Sequence, residues 1–141
     1  MYEKGRGKMK KLNNKKGFTL MEMLIVVAII VILVAISIPV FSGQLNNAKK
    51  ATDLANIRAA KGVATTQYLM SETTPTEDKT YYYNVADGQL VDKKDGIKAY
   101  GGSASVVEGA TETPAGKILE VTVKTDGTVA LKWVEPATTT P

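Results

Sequence analysis

The chain has 141 residues, with 18 lysine and arginine and 14 aspartate and glutamate side chains, no histidine and no cysteine. Those absences exclude disulfide cross-links, zinc sites of the Cys/His type, and chemistry that depends on histidine or a thiol. The net charge of +4 is unevenly spread.

Residues 1–17 carry seven basic side chains against Glu3, a net of +6, whereas the remaining 124 residues carry 11 basic and 13 acidic side chains, a net of −2. The basic character therefore belongs to a leader. The rest of the chain offers no basic surface of the kind nucleic-acid binding needs, so no nucleic-acid partner is expected for it.

Residues 23–36 form an unbroken apolar run of 14. Continuing through Ser37 and Pro39 to Phe41 gives 19, close to the roughly 20 that cross a bilayer as helix. The run is apolar on every side, which suits lipid or a protein interior better than an amphipathic surface. Glu22 stands at its entrance, and a carboxylate inside a bilayer costs about 3 kcal/mol or more without a partner. Three readings fit these features. A secretory signal peptide would be cut after the run. A plain anchor would be retained and oriented by its cytoplasmic positive charge. In the third, the cut falls before the run, between Gly17 and Phe18.

The stretch Lys15-Lys16-Gly17-Phe18-Thr19-Leu20-Met21-Glu22-Met23-Leu24-Ile25-Val26-Val27, with Ile38-Pro39 downstream, resembles the type IV pilin and pseudopilin family. Charge run, glycine, aromatic and acidic residue all fall in register with the apolar segment. The resemblance covers residues 10–70 and is architectural beyond them. It implies a basic leader, residues 1–17, recognised through Lys15, Lys16 and Gly17 by a prepilin peptidase. That enzyme would cut after Gly17 and N-methylate Phe18. Met9 offers a second start that would leave a shorter leader of the family's usual kind.

In the mature chain Glu22 would neutralise the Phe18 amine of an adjacent subunit and set axial register. Buried ion pairs are poor stabilisers but good specifiers of register, which agrees with that role. Pro39 would kink or loosen the helix by removing one backbone hydrogen bond and crowding the preceding turn. The carboxylate, the amine and the proline need no cofactor and no metal, and none is expected.

Past Phe41 the pattern becomes amphipathic. Leu45, Ala48, Thr52, Ala55, Ala59, Gly62, Thr66 and Leu69 recur at three- and four-residue steps, with Leu54 and Val63 beside them. This stripe is expected to pack against a sheet, leaving Lys49, Lys50, Asp53, Arg58 and Lys61 on a solvated face. A helix from residue 18 to 70 would be roughly 80 Å long. Residues 71–79 read as a polar loop containing Pro75. Tyr81-Tyr82-Tyr83 reads as core and loop packing. Asp87, Asp92 and Asp95 fall among Asp-Gly turns and match no calcium-loop spacing.

Residues 117–124 and 128–135 are the clearest strands, joined by Thr125-Asp126-Gly127. Leu119, Val121 and Val123 share one face of the first, as do Val129, Leu131 and Trp133 of the second. Residues 97–100 and 103–108 are weaker strand candidates. The expected fold class is α+β: a long amino-terminal helix, membrane-spanning in its first half and amphipathic in its second, packed on a small antiparallel sheet of three or four strands. Its segments are leader 1–17, apolar helix 18–41, amphipathic helix 42–70, loop and sheet head 71–135, and flexible tail 136–141.

Read this way the protein is no enzyme but a structural subunit, a major pilin of an adhesive or motile filament. A competence-pilus subunit for DNA uptake or a secretion pseudopilin are alternatives within the family. A secreted binding domain with a signal peptide is the alternative outside it. The implied partners are copies of itself, the peptidase, an assembly platform with its ATPase, and membrane lipid before assembly. Its location would pass from single-pass cytoplasmic membrane to cell-surface filament.

Overall fold

The computed structural model describes Gly17 and residues 19–138. One helix is followed by four strands: α1 (Leu20–Met70), β1 (Lys79–Asn84), β2 (Gln89–Val91), β3 (Ile118–Val123) and β4 (Val129–Val134). The architecture is α+β, a long apolar amino-terminal helix with a small antiparallel sheet. By compactness the chain divides into two units, one ending at Phe41 and the other spanning residues 42–141.

In the first unit every described residue is exposed. The large apolar side chains from Leu20 to Phe41 keep between 42% and 79% of their surface. A helix with no polar face has nothing to hide behind within its own chain, so its composition answers to lipid or to other helices. By length and composition α1 meets the requirement for a membrane span. Pro39 lies inside the helix, and just before it the Ser37 hydroxyl donates to the Leu33 carbonyl at 2.6 Å.

The second unit is built differently. Its sheet has the order β2-β1-β3-β4, antiparallel throughout. Alternate residues of the strands, namely Tyr81 and Tyr83, Leu119, Val121 and Val123, and Leu131 and Trp133, turn to one core. From α1 that core receives Ile57, Ala60 and Ala64. The two alanines remove bulk where helix and sheet meet, which lets the tyrosine and tryptophan rings fill the space. The indole N–H of Trp133 is buried without a hydrogen-bond partner among the described residues.

Three expectations need correction. The small-residue stripe does not face the sheet: Leu45, Ala48, Thr52, Ala55, Ala59, Gly62, Thr66 and Leu69 are all exposed. The packed face is instead centred on Asp53, Ile57, Ala60 and Ala64. Asp53 consequently leaves the solvated face assigned to it and is 1% exposed. The weaker strand candidates, residues 97–100 and 103–108, form no strand. The sheet takes its other two strands from the tyrosine run and from residues 89–91.

Residues 92–117 form an irregular covering fastened at a few points. The Tyr100 hydroxyl donates to the Tyr83 carbonyl at 2.8 Å and accepts the Leu119 N–H at 2.9 Å. The last β1–β3 pair in register is Tyr82 with Glu120. The phenol thus sits where Tyr83 and Leu119 would have bonded directly. Its ring meets those of Tyr83 and Trp133 edge-on, at 6.4 and 5.7 Å. Thr111 runs along the outer edge of β4, donating to Leu131 and accepting from Trp133. Gly101 is obligatory for lack of room, because a Cβ there would strike the Pro114 carbonyl and the Trp133 ring.

Candidate processing and assembly site

The first turn of α1 is held by its own sequence. Thr19 lies just outside the helix as its N-cap, and Glu22 is three residues on. The Glu22 N–H donates to the Thr19 hydroxyl at 3.2 Å, and the Thr19 N–H donates to Glu22 Oε2 at 3.1 Å. This reciprocal arrangement is a capping box, satisfying two of the donors a helix start leaves unpaired. The Glu22 carboxylate also lies near the positive end of the helix dipole, which favours it there by about 0.3–1 kcal/mol. Only one of its two oxygens is used in this contact, so Oε1 stays available for a second donor.

Gly17 is exposed and outside any helix or strand. Lys15, Lys16 and Phe18 lie outside the described residues, as does the end of the expected flexible tail. The structure places Gly17 ahead of α1, Glu22 in its first turn and Pro39 within it. Among the described residues it brings no second charged group to Glu22; the polar partner it supplies is Thr19.

Two further residues of α1 and its cap make contacts that the sequence signals unequally. Thr19 carried a legible signal, since Thr19-Leu20-Met21-Glu22 has the spacing of a capping box ahead of an apolar run. Asp53 carried none. Its carboxylate accepts the Gly102 N–H at 3.1 and 3.2 Å and the Ser103 N–H at 2.7 Å. Those partners are about 50 residues away in the chain. Two backbone amides converging on one carboxylate make a charge-assisted clasp, stronger than neutral hydrogen bonds.

Residues 12–38 match the family model described as the prokaryotic N-terminal methylation motif. Over 69 residues the chain is 42% identical to the type IV narrow pilus major component PilA5 of Thermus thermophilus, covering 47% of this chain. The match spans 57% of that relative's length. No solved structure matches the chain. The methylation motif at the helix start, the apolar helix behind it and this relative are the respects in which the chain is similar to type IV pilins.

Proposed function

We propose that the protein is a structural subunit, a major pilin, of a type IV pilus-like filament used in adhesion or motility. The observation that carries this reading is the match over residues 12–38, which covers the Gly17–Phe18 junction and Glu22 in one register. Similarity to a protein that is itself a major pilus component supports the same reading. The role is one of assembly and not of catalysis.

In this scheme residues 1–17 stay in the cytoplasm while the apolar helix rests in the membrane. A prepilin peptidase cuts after Gly17 and methylates Phe18. Cleavage creates an amine four residues from a carboxylate, and each is costly to leave unpaired in a low-dielectric setting. Glu22 of one subunit meets the Phe18 amine of the next and sets register, while Thr19 holds the carboxylate ready on the helix end. An ATP-driven platform transfers the subunit from lipid to filament. Lipid is already apolar, so the gain on transfer comes from packing and charge pairing more than from hydrophobic burial.

Intact-mass and amino-terminal analysis of surface protein tests the scheme. A chain beginning at N-methyl-Phe18 is expected. A start beyond Phe41 would instead establish a signal peptide, and a retained leader would establish a plain anchor. Glu22→Ala is expected to leave cleavage intact and abolish filaments, so normal filaments from that variant would overturn the register role.

A further inference from the structure

Three aspartates of the second unit are each followed by glycine: Asp87-Gly88, Asp95-Gly96 and Asp126-Gly127. All three pairs lie in turns, and all three glycines take a positive φ, between 69° and 86°. Such a pair carries a latent reaction. With no Cβ to shield it, the glycine nitrogen can reach the aspartate side chain and close a five-membered imide. A bond forms between the glycine nitrogen and the aspartate Cγ, and the hydroxyl of the protonated carboxyl leaves with the amide proton as water. Water then reopens the imide at either carbonyl. Opening at one restores aspartate. Opening at the other leaves isoaspartate, with the main chain running through the old side chain and the α-carboxyl free. One water is lost and one gained, so the reaction needs no oxidant and no co-reactant.

The folded chain does not treat the three pairs alike. Attack requires the glycine nitrogen to swing out of the turn, which breaks any hydrogen bond its N–H makes. The Gly88 N–H donates to the Asn84 carbonyl at 2.9 Å, and the Gly127 N–H to the Lys124 carbonyl at 3.0 Å. Asp126 is held as well, since its Oδ1 accepts the Thr128 N–H at 2.9 Å. At Asp95-Gly96 neither the carboxyl nor the amide has a hydrogen-bond partner among the described residues. The turn closes around them instead, through the Ile97 N–H and the Lys94 carbonyl at 3.3 Å. Gly96 is also exposed with open space where a Cβ would stand, whereas Gly88 and Gly127 are half-buried, Gly127 against the Tyr68 ring.

From this difference we infer that Asp95 is a modification site, at which the chain isomerises spontaneously to isoaspartate. The carboxylate charge is kept, so the change is one of geometry. An extra methylene enters the main chain between Lys94 and Ile97, and the hydrogen bond that closes the turn must span a larger ring. Two anchors flank it: buried Ile97, and Lys94, whose ammonium donates to the Glu135 carbonyl at 3.3 Å. Both would loosen, at the point where the irregular covering begins. The reaction is confined to one turn of the second unit and asks nothing of filament assembly.

The test ages the full chain in detergent micelles, in warm neutral buffer, beside the same chain unfolded in guanidinium chloride. Electron-transfer fragmentation in the mass spectrometer distinguishes isoaspartate from aspartate at each position. An isoaspartate-specific carboxyl methyltransferase with labelled S-adenosylmethionine reads the total. In the folded chain isoaspartate is expected to form at Asp95 at least about fivefold faster than at Asp87 or Asp126, the factor that one retained hydrogen bond supplies. In the unfolded chain the three rates are expected to converge, because each pair then has the same glycine and no partner. Asp95→Glu must close a larger and slower ring, so it is expected to remove most of the methylation signal while keeping the parent's near-ultraviolet dichroism. The inference is overturned if no isoaspartate forms at Asp95 in the folded chain or if Asp87 or Asp126 isomerises there as fast. It is overturned equally if Asp95 keeps the same lead when unfolded, or if Asp95→Glu leaves the signal undiminished.

Discussion

Residues 20–41 and the unit that begins at Ser42 treat apolar side chains in opposite ways. In the first, leucines, isoleucines and valines are numerous and none is buried. In the second they are more thinly spread, and those of β3, with Leu131 of β4, are buried. The first segment is composed for surroundings that other molecules provide. The second is composed for itself. Two acidic residues of α1 repeat the contrast, since Glu22 is exposed on a helix end whereas Asp53 is buried against two backbone amides.

The sharpest way to break that contrast is to remove the same kind of bulk from each side. Trp133→Ala is expected to cost about 3–5 kcal/mol of unfolding stability, because it empties the centre of the core. Val31→Ala in the apolar segment is expected to leave the unfolding of the sheet unit within about 0.5 kcal/mol of the parent. Urea unfolding of the full chain in micelles, followed by near-ultraviolet dichroism, reads both. A comparable loss from Val31→Ala would erase the distinction.

The acidic pair gives the next largest effect. Asp53→Ala strands the amides of Gly102 and Ser103 and is expected to cost about 2–4 kcal/mol. Asp53→Asn keeps an acceptor and should recover part of the loss. Glu22→Ala should leave the stability of the sheet unit unchanged while filament yield collapses, which electron microscopy of shed filaments measures. A thermal shift of the sheet unit in Glu22→Ala would show that the two carboxylates do not divide their duties as described.

Tyr100 allows a finer test. Burial pushes its phenol well above the ordinary tyrosine value of 10.0, with the neighbouring Tyr83 adding to the rise and the Leu119 N–H opposing it. The folded chain therefore keeps a proton that the unfolded chain releases. The corresponding stability is complete below about pH 10 and is lost progressively as the pH rises beyond it. Tyr100→Phe should cost about 1–3 kcal/mol at neutral pH by orphaning the Tyr83 carbonyl and the Leu119 N–H. It should also flatten the alkaline limb of the stability profile. Tyr82, raised by desolvation and then by the Glu120 charge, would supply what alkaline sensitivity remains.

The smallest effect belongs to Asp126 in the turn between β3 and β4. The Thr128 N–H donates to it at 2.9 Å and holds its carboxyl below the ordinary range. Its contribution is present above the unfolded value and lost as the pH falls through the folded one. Asp126→Ala should therefore soften the acid limb alone, by a margin visible only in paired melting curves.

What the sequence revealed follows the same divide. The apolar run needed only composition to be read, because its partners lie outside the chain and no tertiary arrangement could disguise it. The helix face was misjudged because small residues recur at helical steps without contributing much buried area. The true face has Ile57 as its one large, fully buried apolar side chain, and an aspartate beside it. Three consecutive tyrosines hid β1, since a strand is recognised by alternation and a uniform run shows none. β2, at three residues, was too short to leave a pattern. Residues 97–108 have strand-like composition, but their amides are spent elsewhere: Tyr100 and Gly101 donate to Lys117, and Gly102 and Ser103 to Asp53. At the candidate site the charge and apolar register is plain in the sequence, and the Thr19–Glu22 capping box is legible there only as a spacing that Glu22 can also satisfy with a partner outside the chain.

The fastening of residues 92–117 has an evolutionary consequence. Several of its fixed points use backbone atoms on the covering side: the amides of Gly102 and Ser103, and both polar groups of the Thr111 main chain. A clasp on the main chain is indifferent to the side chain it passes. Exposed positions between clasps, such as Val106 and Glu108, can therefore change identity while the covering stays in place.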